Sequence, residues 1–230
     1  MPIIRTGVCC LLAIVIMAPI LLADDSPSAI KGWGKIDDPT GQSEVKLEGK
    51  TLIMKAPTRY IDNYTPGKVN APRVEQEIEG DFVAEVNVID VEKAQPNSVL
   101  KSLGSFPTSF HAGSMLIWMD TVNFVRFDRS SMNQGGRQIN ACELQVYANY
   151  DRIHLKSFRI EDKPTRLRLK RVGQTLFASF SQDDGKTWKE FPETSIKHLP
   201  SRIDVGVSMT SNTDPGCTVK FQGLEVKRLE

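Results

Sequence analysis

The chain has 230 residues, 25% of them charged, and a formal net charge of +1. Residues 1–23 hold one Arg and no acid, so the rest balances at 28 basic and 28 acidic residues. A neutral chain offers no field for nucleic acid or an anionic lipid surface, and about 207 residues suffice for one large β domain that buries its core unaided.

The first element is a targeting segment. Met1–Arg5 carries one positive charge, Gly7–Leu22 is apolar apart from Pro19, and Ala23 precedes Asp24 and Asp25. This is the plan of a secretory signal peptide over residues 1–23. Leu21 suits cleavage poorly, which leaves an uncleaved anchor as the alternative, although the run is short for a membrane span of about 20 residues. The expected location is extracellular or periplasmic, with no membrane contact after cleavage and residues 24–230 as a single domain.

Strand signals then recur. Period-two alternation marks Phe82–Val88, Asn123–Arg129, Cys142–Tyr147, Arg166–Arg171, Thr175–Ser181, Asp204–Met209 and Thr218–Val226. Met115–Met119 is apolar throughout, as a central strand covered on both faces would be. Gly-containing turns separate these runs at 48–50, 79–81, 172–174, 183–185 and 214–216. Arg59–Pro72, Glu92–His111 and Ser130–Asn140 read as long loops, and only Val99–Leu103 suggests a turn of helix. About a dozen short strands with almost no helix predict an all-β antiparallel sandwich. No repeat accompanies them, which argues against a β-propeller.

Two cysteines lie outside the leader. Alternation puts Cys142 on a face with Leu144 and Val146, and Cys217 on a face with Val219 and Phe221. Both thiols therefore point inward, and export permits a Cys142–Cys217 disulfide. The alternative is two buried thiols packing as small apolar groups.

Ser181–Trp188 fits the Asp-box pattern Ser-x-Asp-x-Gly-x-Thr-Trp at every fixed position. Gly185 can adopt positive φ at a hairpin tip. Ser181 and Asp183 can bond turn N–H groups, Thr187 completes the pattern, and Trp188 can fold back as an apolar plug. The box is expected to be structural.

Asn70–Arg73, Glu79–Phe82, Ala112–Leu116, Asn123–Phe127, Leu167–Gly173, the octet, Val205–Met209 and Val219–Phe221 follow one another in an order that resembles a known family. It is the concanavalin A-like family of unknown function labelled "regulation of enolase", in its secreted planctomycete-type versions. The resemblance covers roughly residues 70–228. It implies a jelly-roll sandwich of two antiparallel sheets, one of them concave, and no settled activity. Laminarinase-type hydrolases share that fold and carry Glu-x-Asp-x-x-Glu on one strand, a spacing that sets an acid and a nucleophile on one sheet face. No such run occurs here. Glu75-Gln76-Glu77 is the nearest imitation and reads as a solvated strand edge.

One constellation remains. Phe124, Arg126 and Asp128 share a face opposite Val125 and Phe127, while Glu143, Gln145 and Tyr147 share the face opposite Cys142, Leu144 and Val146. If the two strands pair, Arg126, Asp128, Glu143, Gln145 and Tyr147 form a polar groove suited to sugar hydroxyls, with Tyr147 or Trp118 as a stacking plate. The alternative is a solvated face with cross-strand ion pairs. Tyr60, Tyr64 and Trp33 are candidates for a rim, or else simply cover the core. His111, His154 and His198 lack ligand spacing, so no metal and no cofactor is expected. The resulting expectation is an exported, non-enzymatic carbohydrate-binding or surface-interaction module whose partner is a neutral glycan or a cell-surface protein. A glycoside-acting hydrolase with a non-standard acid pair and a structural envelope protein are the alternatives.

Overall fold

The computed structural model describes residues 28–56, 60–63, 69–96, 108–213 and 215–230. The leader, Val99–Leu103 and Tyr64 lie outside the described residues. The described chain is all β, with no helix. In chain order the strands are β1 (Ala29–Ile30), β2 (Gly34–Asp37), β3 (Glu44–Glu48), β4 (Thr51–Ala56), β5 (Arg73–Glu79), β6 (Phe82–Val91), β7 (Thr108–Trp118) and β8 (Phe124–Gln134). Then follow β9 (Arg137–Ala148), β10 (Asp151–Arg159), β11 (Thr165–Val172), β12 (Thr175–Ser181), β13 (Lys189–Glu190), β14 (Thr194–Ser195), β15 (Arg202–Ser211) and β16 (Cys217–Arg228).

They form two antiparallel sheets. One runs β1-β2-β5-β15-β7-β8-β9-β10, and the other runs β13-β12-β11-β6-β16-β4-β3, with β14 pairing β12. The core lies between them. Each strand contributes alternate residues, such as Met115 and Ile117 from β7, Val125 and Phe127 from β8, Leu144 and Val146 from β9, and Val219 and Phe221 from β16. Burying such a side chain stabilises the fold by about 1.5–3 kcal/mol relative to exposing it. β7 is central in its sheet and buried on both faces over its C-terminal half, as its unbroken apolar run predicts.

Three expectations need correction. Ser130–Asn140 is not a loop. β8 and β9 continue in register to Gln134↔Arg137 and reverse through Gly135 and Gly136, both at positive φ. Ser130, Ser131 and Asn133 are buried along the strand, only 134–137 at the tip are exposed, and the two glycines supply a tight turn. Glu75 is not on a solvated edge. β5 pairs β2 on one side and β15 on the other, and the Glu75 side chain is only 12% exposed.

The third correction concerns the thiols. Cys142 and Cys217 both face inward and are buried, but no bridge forms. Cys217 Sγ lies 4.0 Å from the Thr210 carbonyl oxygen. Thr210 is aligned with Ala112, then Ser130, then Ala141, which neighbours Cys142. Three interstrand steps of about 4.8 Å separate the two positions by roughly 14 Å, while a disulfide needs Cα atoms within about 7 Å. Alternation fixes which way a side chain points, not which inward residue it meets.

Candidate functional site

The outer face of the first sheet carries the constellation. Register places Phe124 opposite Tyr147, Arg126 opposite Gln145 and Asp128 opposite Glu143. Period two turns all six away from the core, and strand pairing sets them side by side. Arg126, Asp128, Glu143, Gln145 and Tyr147 line a cleft of about 350 Å³, whose wall also includes Tyr60, Asp62 and Arg152.

Hydrogen bonds tie these groups together. Arg126 Nε donates to Asp128 Oδ2 at 3.1 Å, and Arg126 Nη1 donates to Asp62 Oδ1 at 2.9 Å. Gln145 Nε2 donates to the same Asp128 oxygen at 2.8 Å, and the Tyr147 hydroxyl donates to Gln145 Oε1 at 2.7 Å. Arg152 Nη1 reaches that amide oxygen at 3.3 Å, and Ser130 Oγ lies 3.3 Å from Glu143 Oε2. Asp128 Oδ1 is buried and has no partner among the described residues. A buried acceptor without a donor is costly to leave unmet, at about 1–3 kcal/mol.

Electrostatics follow from this packing. Burial opposes the charge of Arg126, but Asp128 and Asp62 outweigh it and push its pKa up, so it stays a fixed cation. Burial, reinforced by Asp128, raises the Glu143 pKa, while hydrogen bonds from Ser157 and Ser130 and the charge of Arg126 pull it down. Burial likewise raises the Tyr147 phenol.

The aromatic residues depart from expectation. Tyr147 is 3% exposed and its ring stacks on Phe124, with centroids 4.4 Å apart. With its ring packed on Phe124 and its hydroxyl bonded to Gln145, it is not a stacking plate for a ligand. Trp118 does not line the cleft. It stacks on Phe124 at 5.3 Å, and the Arg73 guanidinium sits 4.1 Å over its ring. Trp33 is buried in the core. Tyr60, 40% exposed, lines the cleft wall together with Phe110.

Sequence reasoning did not single out Asp62 or Arg152. Asp62 reaches the cleft because its loop folds onto the sheet. Ile61 bridges Ser211, the Asp62 carbonyl accepts from Asn70 N and Ala71 N, and Asn63 Nδ2 donates to Ser208 Oγ at 3.1 Å. No local pattern encodes that docking. Arg152 was findable, since it opposes Tyr147 across the β9–β10 ladder.

The octet lies apart from the cleft, between β12 and β13, which pair as a hairpin. Ser181 Oγ accepts from Gly185 N at 2.9 Å and donates to Asp183 Oδ1 at 2.7 Å. Asp183 accepts from the Thr187 amide and hydroxyl, at 2.9 and 2.5 Å. Gly185 holds φ 83°, and its carbonyl accepts from Trp188 Nε1 at 3.0 Å. Trp188 is half-buried beneath the Arg168 guanidinium, 3.7 Å from the ring centroid. Among the described residues no group of three His, Cys, Asp or Glu side chains is placed to hold a metal ion.

No protein-family model matches the chain, and no match is found among curated proteins. Solved structures do resemble it. A functionally unknown protein from Saccharomyces cerevisiae superposes with TM-score 0.58 at 13% identity, over 83% of this chain and 98% of that one. The GH43 protein BlXynB from Bacillus licheniformis gives TM-score 0.58 at 12% identity over 84% of this chain, which spans only 36% of that protein. The exoplasmic/lumenal domain of VIP36, in its Ca2+/Man-bound form, gives 0.51 at 11% identity over 87% and 89%. These likenesses establish the fold, a lectin-like, concanavalin A-like jelly-roll sandwich, and at such identities they establish nothing further.

Proposed function

We propose that the protein is an exported, non-enzymatic module that binds a neutral glycan in the cleft around Arg126, Asp128 and Glu143. The observation that carries this is Asp128 Oδ1, a buried acceptor on the cleft wall with no donor among the described residues. A sugar hydroxyl supplies such a donor, directly or through a bridging water, without bringing charge. Arg126 and Gln145 hold the carboxylate in place, and Oδ1 is shielded from solvent in the free protein, so a small shift of the wall admits the hydroxyl or the bridging water. Tyr60 at the mouth offers an aromatic face for the apolar side of a pyranose. A Man-bound domain and a GH43 protein among the similar folds support a carbohydrate reading. Export rests on the composition of residues 1–23, and membership of the "regulation of enolase" family rests on the quoted motifs alone.

A hydrolase is the second reading, and one observation favours it. Asp128 and Glu143 are directly opposed across β8 and β9, and burial pushes the Glu143 pKa up, as a general acid requires. A glycan-array screen of the protein, followed by assay of the bound glycans for release of reducing ends, tests both. Binding without release supports the module, and release that Glu143→Gln abolishes supports the hydrolase. No binding by any glycan sinks both.

A further inference from the structure

Asn63, Ser114 and Asp128 gather where the loop that carries Asp62 lies on the outer face of the first sheet. Register sets Ser208, Ser114 and Asp128 in one row across β15, β7 and β8. Alternation turns all three outward, since their neighbours Val207, Met115 and Phe127 lie in the core. Asn63 joins the row from the loop, its Nδ2 donating to Ser208 Oγ at 3.1 Å. Asn63, Ser114 and Asp128 are all buried, and each keeps one side-chain atom with no partner among the described residues: Asn63 Oδ1, Ser114 Oγ and Asp128 Oδ1.

The bonds already made decide what these atoms lack. Ser208 Oγ gives its proton to the Pro72 carbonyl at 2.9 Å, so it can only accept from Asn63. That sets the amide with Nδ2 on Ser208 and leaves Oδ1 as an acceptor. Asp128 Oδ2 takes its bonds from Arg126 and Gln145. Two acceptors and one hydroxyl remain.

We propose that one water molecule resides among them, donating to Asp128 Oδ1 and Asn63 Oδ1 and accepting from Ser114 Oγ. About three bonds are typical of a buried water, and two donors and an acceptor are what these three atoms require. The spacing agrees. Side chains directly opposed on neighbouring strands start about 4.5–5.5 Å apart, and a water with a bond of about 2.8 Å on either side spans about that distance. A direct bond from Ser114 to Asp128 would leave Asn63 Oδ1 unmet. A cation would stand beside the Arg126 guanidinium, which already holds the same carboxylate. The inference shares its acceptor with the glycan reading and deepens it. The water ties the loop to the cleft wall before any sugar arrives, and its remaining lone pair can accept from a sugar hydroxyl once the wall shifts.

A high-resolution crystal structure of the free protein tests this, together with thermal unfolding of Ser114→Ala. Density for a water within about 3.2 Å of all three oxygens is expected. The variant should melt about 2–4 °C lower, as the water loses its donor. Ser114 Oγ bonded directly to Asp128, a cation at the site, or no density there overturns the proposal. So does a variant that melts at or above the wild-type temperature, because removing a buried hydroxyl that bonds nothing relieves the fold. Both measurements use the protein without sugar, so failure here is separate from failure of the glycan array.

Discussion

Arg126 and Asp62 are 64 residues apart in the chain and meet at 2.9 Å, Nη1 donating to Oδ1 inside the outer face of the first sheet. That contact pins a loop to a sheet, and it changes what Arg126 does. The side chain is 5% exposed and paired with two carboxylates, so it is part of the architecture beneath the cleft.

Arg126→Ala is therefore expected to cost stability, by about 3–5 kcal/mol, because it leaves two carboxylates buried without their cation. Urea unfolding of wild type and variant measures it. A loss under 1 kcal/mol would show that water reaches the pair and that the loop is not anchored there.

Much of this arrangement was legible in the sequence. Alternation along Phe124–Asp128 and Glu143–Tyr147 assigned each side chain to its face, because one face of each strand must be buried and a shift of one residue would reverse them all. Pairing of β8 with β9 was a condition of the sequence reading, and the ladder between them meets it. What crosses the fold was not legible. The docking of Asp62, the separation of Cys142 from Cys217, and the covering of Trp118 by Arg73 depend on which distant element lies over each residue. The sequence also marked Tyr147 as a stacking surface on residue type alone, whereas Phe124 occupies its ring.

Glu75 should give the protein a measurable pH dependence. Burial raises its pKa to about 7, Arg73 pulls against that, and Asp204 and Asp37 reinforce it. The folded value lies above the unfolded one, so the folded state binds more protons between them, and stability falls as pH rises from about 4.5 to about 7. At about 1.4 kcal/mol for each pH unit in that window, the fall is on the order of 3 kcal/mol. Glu75→Gln should remove that part of the decline in unfolding free energies measured from pH 4.5 to 8. An unchanged slope would contradict the burial of this carboxyl.

Asp183 is expected to act in the opposite direction. Hydrogen bonds from the Thr187 hydroxyl and amide and from Ser181 hold its pKa below the usual carboxylate range. Its stabilisation is present above the unfolded value near 4 and is lost as pH falls toward the folded one. Asp183→Ala should lower the melting temperature at pH 7 and narrow the gap from wild type in acid, without altering glycan affinity. A variant that melts like wild type yet binds no glycan would make the octet a binding site.

The two cysteines are predicted to be free thiols. Burial raises the Cys217 pKa to about 12 and pushes Cys142 well up, so both should resist alkylation in the folded protein at pH 8. Unfolding without reductant should expose two reactive thiols outside the leader, detected as two alkyl additions by intact mass. No addition until a reductant is supplied would restore the bridge and overturn the strand spacing given above.

The central claim is that the cleft holds a neutral glycan, and calorimetric titration of the strongest array glycan into wild type and Tyr60→Asn tests it most directly. Tyr60 has φ 58°, and Asn tolerates that left-handed backbone, so the change removes the ring without adding backbone strain. The account predicts saturable binding by wild type and roughly tenfold weaker binding by the variant, about 1.4 kcal/mol for a lost stacking contact, at a similar melting temperature. Equal affinity in the two proteins, or no binding by wild type, would contradict it.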